Sequence, residues 1–180
     1  MKKTTLVLAL IFATGAVFAQ KRTTSSATVT FDATTPKDAL PKAENKTVIA
    51  SFDPKTGAVA FEAAVKNFAF SNPKMQEHFN SANWMNSDQY SKFTFTGIVE
   101  KVSKVKLTKN GTYEVKVNGT LTIKDISKPL KANARLTVKD GKLSVVSNFS
   151  IKLSDYNITG QPVESGKVLK EPKVTVTAQF

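Results

Sequence analysis

Period-two alternation of apolar and polar residues dominates this chain. From Tyr113 to Asp125 (YEVKVNGTLTIKD), one face carries Tyr113, Val115, Val117, Gly119, Leu121 and Ile123. The other carries Glu114, Lys116, Asn118, Thr120, Thr122 and Lys124. At about 3.3 Å per residue this run predicts a strand of roughly 40 Å, about twice the usual length. Strands that long suit a tall, curved barrel better than a small sandwich.

Leu130, Ala132, Ala134, Leu136 and Val138 repeat the pattern, and Asp140-Gly141 follows. That pair tolerates positive φ at both positions, so it predicts a two-residue hairpin turn. The turn pairs Val138 with Leu143 and Leu136 with Val145, and the apolar phase continues through Ser147, Phe149 and Ile151. For Asn110-Gly111 a three-residue loop, 109 to 111, keeps apolar against apolar and predicts Leu107 opposite Tyr113 and Val105 opposite Val115. Upstream, Phe93, Phe95, Gly97 and Val99 share a face. Further strands are predicted at Ala27–Ala33, Thr47–Phe52, Ala58–Lys66 and Lys173–Phe180. Residues 20–27 read as loose, 33–46 as a loop across one end, and 157–172 as a second long connection. The sum is all-β, an antiparallel barrel or sandwich of about eight strands with one short helix.

The helix begins at Asn72-Pro73, a capping residue followed by proline in the first turn. Met75 and Phe79 lie four apart on one face, with Phe70 just before the helix and Trp84, Met85 and Tyr90 just after. His78, the chain's one histidine, stands beside that face.

Composition narrows the chemistry. Lys2 and Lys3, an apolar run from Leu6 to Phe18 and the small residues of Val17-Phe18-Ala19 read as a cleaved export signal, residues 1–19. Residues 20–180 then form one domain, expected in the periplasm, with 24 basic and 14 acidic residues and a net charge of +10. The lysines are dispersed along the strands, which reads as solvation of outer faces; an anionic membrane surface is the partner class that the charge fits, and nucleic acid is not expected. There is no cysteine, so disulfides, thiolate metal sites and thiol nucleophiles are excluded. No Gly-x-Ser-x-Gly elbow, His-Glu-x-x-His, calcium-loop spacing or paired acids occur, so neither catalysis nor a metal is expected. For His78 the readings are a structural hydrogen bond or contact with a ligand headgroup.

Three blocks resemble the YceI-like lipid-binding family. The first is Met75-Gln-Glu-His78-Phe79-Asn80, then Trp84-Met85 through Tyr90, then Phe93-Thr94-Phe95-Thr96-Gly97. The second is Gly119-Thr120-Leu121-Thr122-Ile123 followed by Lys128-Pro129-Leu130, similar to a strand and a Lys-Pro turn. The third is Phe149-Ser150-Ile151 through Asp155-Tyr156-Asn157-Ile158. Lys124-Asp125 stands where the family often has His-Gly.

The resemblance implies a lipocalin-like, extended antiparallel barrel that holds a long apolar chain inside, with no cofactor beyond a guest such as a polyisoprenoid, quinone or fatty acid. The expected lining is Phe61, Phe93, Phe95, Leu121, Leu136, Val145 and Phe149, with Phe70, Met75, His78, Phe79 and Trp84 closing one end. The alternative is a dry-cored structural or stress-protective envelope domain acting through its lysine-rich exterior. Whether two copies pair as a homodimer is left open by the sequence.

Overall fold

The computed structural model describes residues 20–180; the expected export signal lies outside them. Nine strands form one antiparallel sheet: β1 (Arg22–Asp32), β2 (Lys42–Phe52), β3 (Ala58–Ala64), β4 (Ala69–Phe70), β5 (Lys92–Val99), β6 (Gly111–Ile123), β7 (Ile126–Lys139), β8 (Lys142–Ser150) and β9 (Lys173–Gln179). The order is β1-β9-β8-β7-β6-β5-β3-β2-β4, and β1 also pairs with β2. That last pairing closes eight strands into a barrel and removes the free edges of an open sheet. β4 pairs only with the start of β2, Ala43 opposite Phe70. Two helices, α1 (Pro73–Asn80) and the four-residue α2 (Gln161–Glu164), lie in the connections. No helix of the described residues is long and apolar enough to cross a membrane.

The tallest wall is the β6–β7 hairpin, paired without interruption from Gly111↔Val138 to Ile123↔Ile126. Its turn is Lys124-Asp125, both at positive φ (50° and 60°). The strand therefore stops two residues short of its predicted end, and Pro129 lies inside β7 opposite Thr120 rather than in a turn. The Asp140-Gly141 turn holds as read, at φ 51° and 77°, with Val138↔Leu143 and Leu136↔Val145.

The hairpin predicted at Asn110-Gly111 does not form. β5 ends at Val99, opposite Val117, and residues 100–110 cross the barrel end with a short 3-10 turn at Val102–Lys104. Leu107 is buried and Val102 and Val105 are half-buried there, so their alternation seals the barrel end instead of continuing a ladder. Gly111 opens β6 opposite Val138.

Two segments read as irregular are strand. β1 starts at Arg22, opposite Phe52; Thr23 and Thr24 pair with Ser51 and Ala50, main-chain pairs that need no apolar pattern, and a register shift follows before Ala27 pairs with Val48. β2 starts at Lys42, with Ala43 and Asn45 buried and Lys42 and Lys46 exposed. Small and polar inward residues hid that half of the strand. The Asn45 amide is fully buried and satisfied: Nδ2 donates to the Ala64 carbonyl (2.9 Å), and Oδ1 accepts from Thr47 N (2.9 Å) and Thr47 Oγ1 (2.9 Å).

Candidate functional site

Because each strand puts alternate residues inside, the barrel axis is surrounded by Val, Leu, Ile, Ala and Phe. They do not fill it. A cavity of about 160 Å³ runs between them, lined from all eight barrel strands and by Phe79 of α1. Nine of the ten phenylalanines in residues 20–180 border it. No Asp, Glu, Lys, Arg or His does. The polar residues on its wall are Ser51, Thr94 and Ser147. The Ser147 hydroxyl donates to the Asn133 carbonyl (2.8 Å), so it offers no free donor to a guest. Phe61, Phe93, Phe95, Leu121, Val145 and Phe149 point inward yet are only half-buried, because they face open space.

One glycine pair shapes this space. Gly97 and Gly119 face each other across β5 and β6. A Cβ on Gly119 would stand 2.5 Å from Phe95 Cζ, and one on Gly97 would stand 2.8 Å from the same atom. The ring of Phe95 lies flat along the wall over two missing side chains, where any other residue would push it toward the axis.

At the end nearer α1, residues 65–91 supply the aromatic cluster. Asn72 Oδ1 accepts from Lys74 N (2.9 Å) and Met75 N (3.3 Å), and Pro73 fills the first turn, as expected. Phe79 is buried and packs on Phe70 (centroids 4.9 Å) and Phe68 (6.0 Å). The chain then doubles back: Met85 N donates to the Phe79 carbonyl (3.1 Å), helped by Asn86 at φ 48°. This return places Trp84 and Met85 on the cavity beside Phe79. The Trp84 carbonyl accepts from Lys124 Nζ (2.9 Å), and that ammonium lies 6.0 Å from the Tyr90 ring centroid. One lysine thus ties the α1–β5 connection to the β6–β7 turn.

Nine of the twelve expected site residues line the cavity: Phe61, Phe79, Trp84, Phe93, Phe95, Leu121, Leu136, Val145 and Phe149. Three do not. Phe70 packs outside it, against Phe79. Met75 is half-buried on α1 but does not reach the cavity, where Met85, 3% exposed, stands instead. His78 precedes Phe79 and points about 100° away from it around the helix. Its side chain is exposed, makes no hydrogen bond among the described residues, and does not line the cavity. Lining residues not in the expected set include Phe31, Phe52, Phe68, Ile151, Leu153, Ile158 and Phe180. Strand parity from Phe149 through Ile151 pointed to some of these; Phe68 and Leu153 sit in irregular connections where parity gives no signal.

An eight-stranded closed barrel around an apolar, uncharged core cavity defines a lipocalin-like protein. The chain belongs to the YceI-like domain family, whose model matches residues 13–180. Solved structures share the fold at low identity. A polyisoprenoid binding domain from Saccharophagus degradans aligns with a TM-score of 0.72 at 13% identity, over 86% of this chain and 93% of that one. Burkholderia cenocepacia BcnA aligns at 0.70 and 17%, over 86% and 96%. The YCEI protein of Campylobacter jejuni aligns at 0.55 and 17%, over 100% and 91%. No curated protein sequence matches the chain.

Proposed function

We propose that this protein is a non-enzymatic, exported carrier that holds one long apolar lipid, an isoprenoid or fatty chain, along the barrel axis. The observation that carries this reading is the cavity wall: aromatic and aliphatic on all sides, with no titratable side chain to act as acid, base or nucleophile. Each methylene moved from water into such a wall is worth about 0.8 kcal/mol, so chain length alone supplies the affinity. The Saccharophagus degradans neighbour, described as a polyisoprenoid binding domain, supports the ligand class. Export to the periplasm rests on the charged, then apolar, N-terminal sequence.

At about 160 Å³ the cavity is close in size to one that admits benzene. A longer chain therefore enters by displacing the half-buried rings that face open space, beside Met85, whose unbranched side chain repacks readily. Trp84, the chain's one tryptophan, borders the cavity and reports on it. Titration with a long-chain isoprenoid alcohol is expected to shift and saturate Trp84 emission, with affinity rising as the chain lengthens. Flat emission and no dependence on length would leave only the reading as a scaffold.

A further inference from the structure

The net charge of +10 is not spread evenly over the barrel. Up-and-down connectivity sends alternate loops to opposite ends. The four connections at the α1 end (33–41, 65–91, 124–125 and 151–172), with the strand residues bounding them, hold ten basic and eight acidic residues. The other end comprises residues 20–21, the β2–β3, β5–β6 and β7–β8 connections, and their bounding residues. It holds nine basic and three acidic residues. The β5–β6 connection alone contributes Lys101, Lys104, Lys106 and Lys109, all exposed.

Neutralisation differs as well. The five ion pairs among the described residues are Lys42–Asp32, Lys46–Glu44, Lys66–Asp88, Lys92–Glu62 and Arg135–Glu114. None involves a basic residue of the lysine-rich end. Its three acids are occupied locally. Asp53 Oδ1 accepts from Lys55 N (2.8 Å), Asp140 Oδ1 accepts from Asn110 Nδ2 (3.1 Å), and Glu100 accepts from Asn118 Nδ2.

These loops are also fixed to one another. Asp140 N donates to Asn110 Oδ1 (2.8 Å), Arg22 donates to the Gly141 carbonyl (3.1 Å), and Val99 N donates to the Gly57 carbonyl (2.8 Å). With Leu107 buried beneath them, the lysines project from a platform rather than from a floppy segment.

We propose that this end of the barrel is a docking surface for anionic phospholipid membranes. The basic set is eight lysines and one arginine, compact point charges suited to diffuse headgroup phosphate more than to forked recognition of one group. The β2–β3, β5–β6 and β7–β8 connections contain no aromatic residue on which bases could stack, and their helical content is the three-residue 3-10 turn at Val102–Lys104, too short to fill a groove. Those features disfavour nucleic acid. The choice of a bilayer also rests on the carrier reading, because an alkyl cargo is loaded from and returned to a membrane.

The test is co-sedimentation of the purified protein with vesicles of equal parts phosphatidylglycerol and phosphatidylcholine, compared with phosphatidylcholine alone. Binding is expected to the anionic vesicles only and to fall as salt rises. Reversing Lys101, Lys104, Lys106 and Lys109 to Glu is expected to weaken it at least about tenfold. The matched set Lys74→Glu, Lys152→Glu, Lys167→Glu and Lys170→Glu, at the α1 end and equal in net charge, is expected to change it less than about threefold. If the quadruple variant does not fold by circular dichroism, Lys104→Glu with Lys109→Glu reads the same contrast at smaller amplitude. Equal loss in the two sets, equal binding to both vesicle types, or displacement of vesicles by an equimolar single-stranded oligonucleotide would overturn the proposal. Because sedimentation needs no cargo, it fails or succeeds independently of the carrier reading.

Discussion

The ring of Phe95 lies across Gly119 on the neighbouring strand, so close that a Cβ there would meet Cζ at 2.5 Å. The same Cβ would stand 2.3 Å from the Thr96 carbonyl oxygen, which belongs to the backbone and cannot swing aside. Gly119→Ala is therefore expected to cost about 2–3 kcal/mol, an overpacking penalty. Phe95→Ala in the same chain should recover only part of it, because the Thr96 clash remains. Urea unfolding of the single and double variants measures both. Full recovery would show that the ring alone demands glycine.

A hollow interior makes two leucines behave differently. Both leucines border the cavity, but Leu136 is 1% exposed and buried in the wall, whereas Leu121 is half-buried and opens onto the free space. Leu136→Ala is expected to cost about 3–4 kcal/mol, because it removes contacts and leaves a void. Leu121→Ala should cost about 1–2 kcal/mol, since space is already present beside it. Equal losses would mean the axis is packed as tightly as the wall.

Lys124 ties the Trp84 connection to the β6–β7 turn. Its φ of 50° restricts replacements, and asparagine tolerates that conformation while removing the ammonium. Lys124→Asn is expected to lower stability by roughly 1 kcal/mol and to raise acrylamide quenching of Trp84. Quenching unchanged from the parent would mean that other contacts hold the connection in place.

Tyr156 gives a test at alkaline pH. Burial, reinforced by neighbouring Asp155, raises its phenol above the ordinary value near 10. The folded protein keeps this proton to higher pH than the unfolded chain does. Its contribution is thus intact below about pH 10 and is lost as pH climbs from the unfolded to the folded value. Tyr156→Phe should match the parent near neutrality and lose stability less steeply above pH 10, as read by urea midpoints. Parallel pH profiles would contradict this.

Much of this architecture was legible in the residue pattern, and the failures have physical reasons. Asp140-Gly141 fixed its hairpin register because the turn chemistry and both flanking patterns agreed. Asn110-Gly111 carried an equally strong turn signal, yet Asn110 spends its side chain on Asp140, and Val105 and Leu107 pack onto the barrel end. Local sequence does not distinguish a capping loop from a ladder when both place alternate residues inward. The Lys124-Asp125 turn was missed because neither residue is glycine or asparagine, and the alternation ran straight through them. Alternation put Phe61, Phe93, Phe95, Leu121, Leu136, Val145 and Phe149 on one face of their strands, and these border the cavity, whereas Phe70 on the short β4 lies outside it. The helix residues were harder: Met75 and Phe79 share a face, but the return of Met85 onto the Phe79 carbonyl, a tertiary contact, decides which side meets the cavity.

The central claim is that the barrel interior shelters a long apolar guest, and its most direct measurement is mass spectrometry of organic extracts from the purified protein. Lipid carriage predicts one family of long-chain neutral or weakly polar lipids, close to one molecule per protein and reduced when Leu121→Trp narrows the lumen. Extracts with no such lipid, or with the same trace mixture from both proteins, would contradict it.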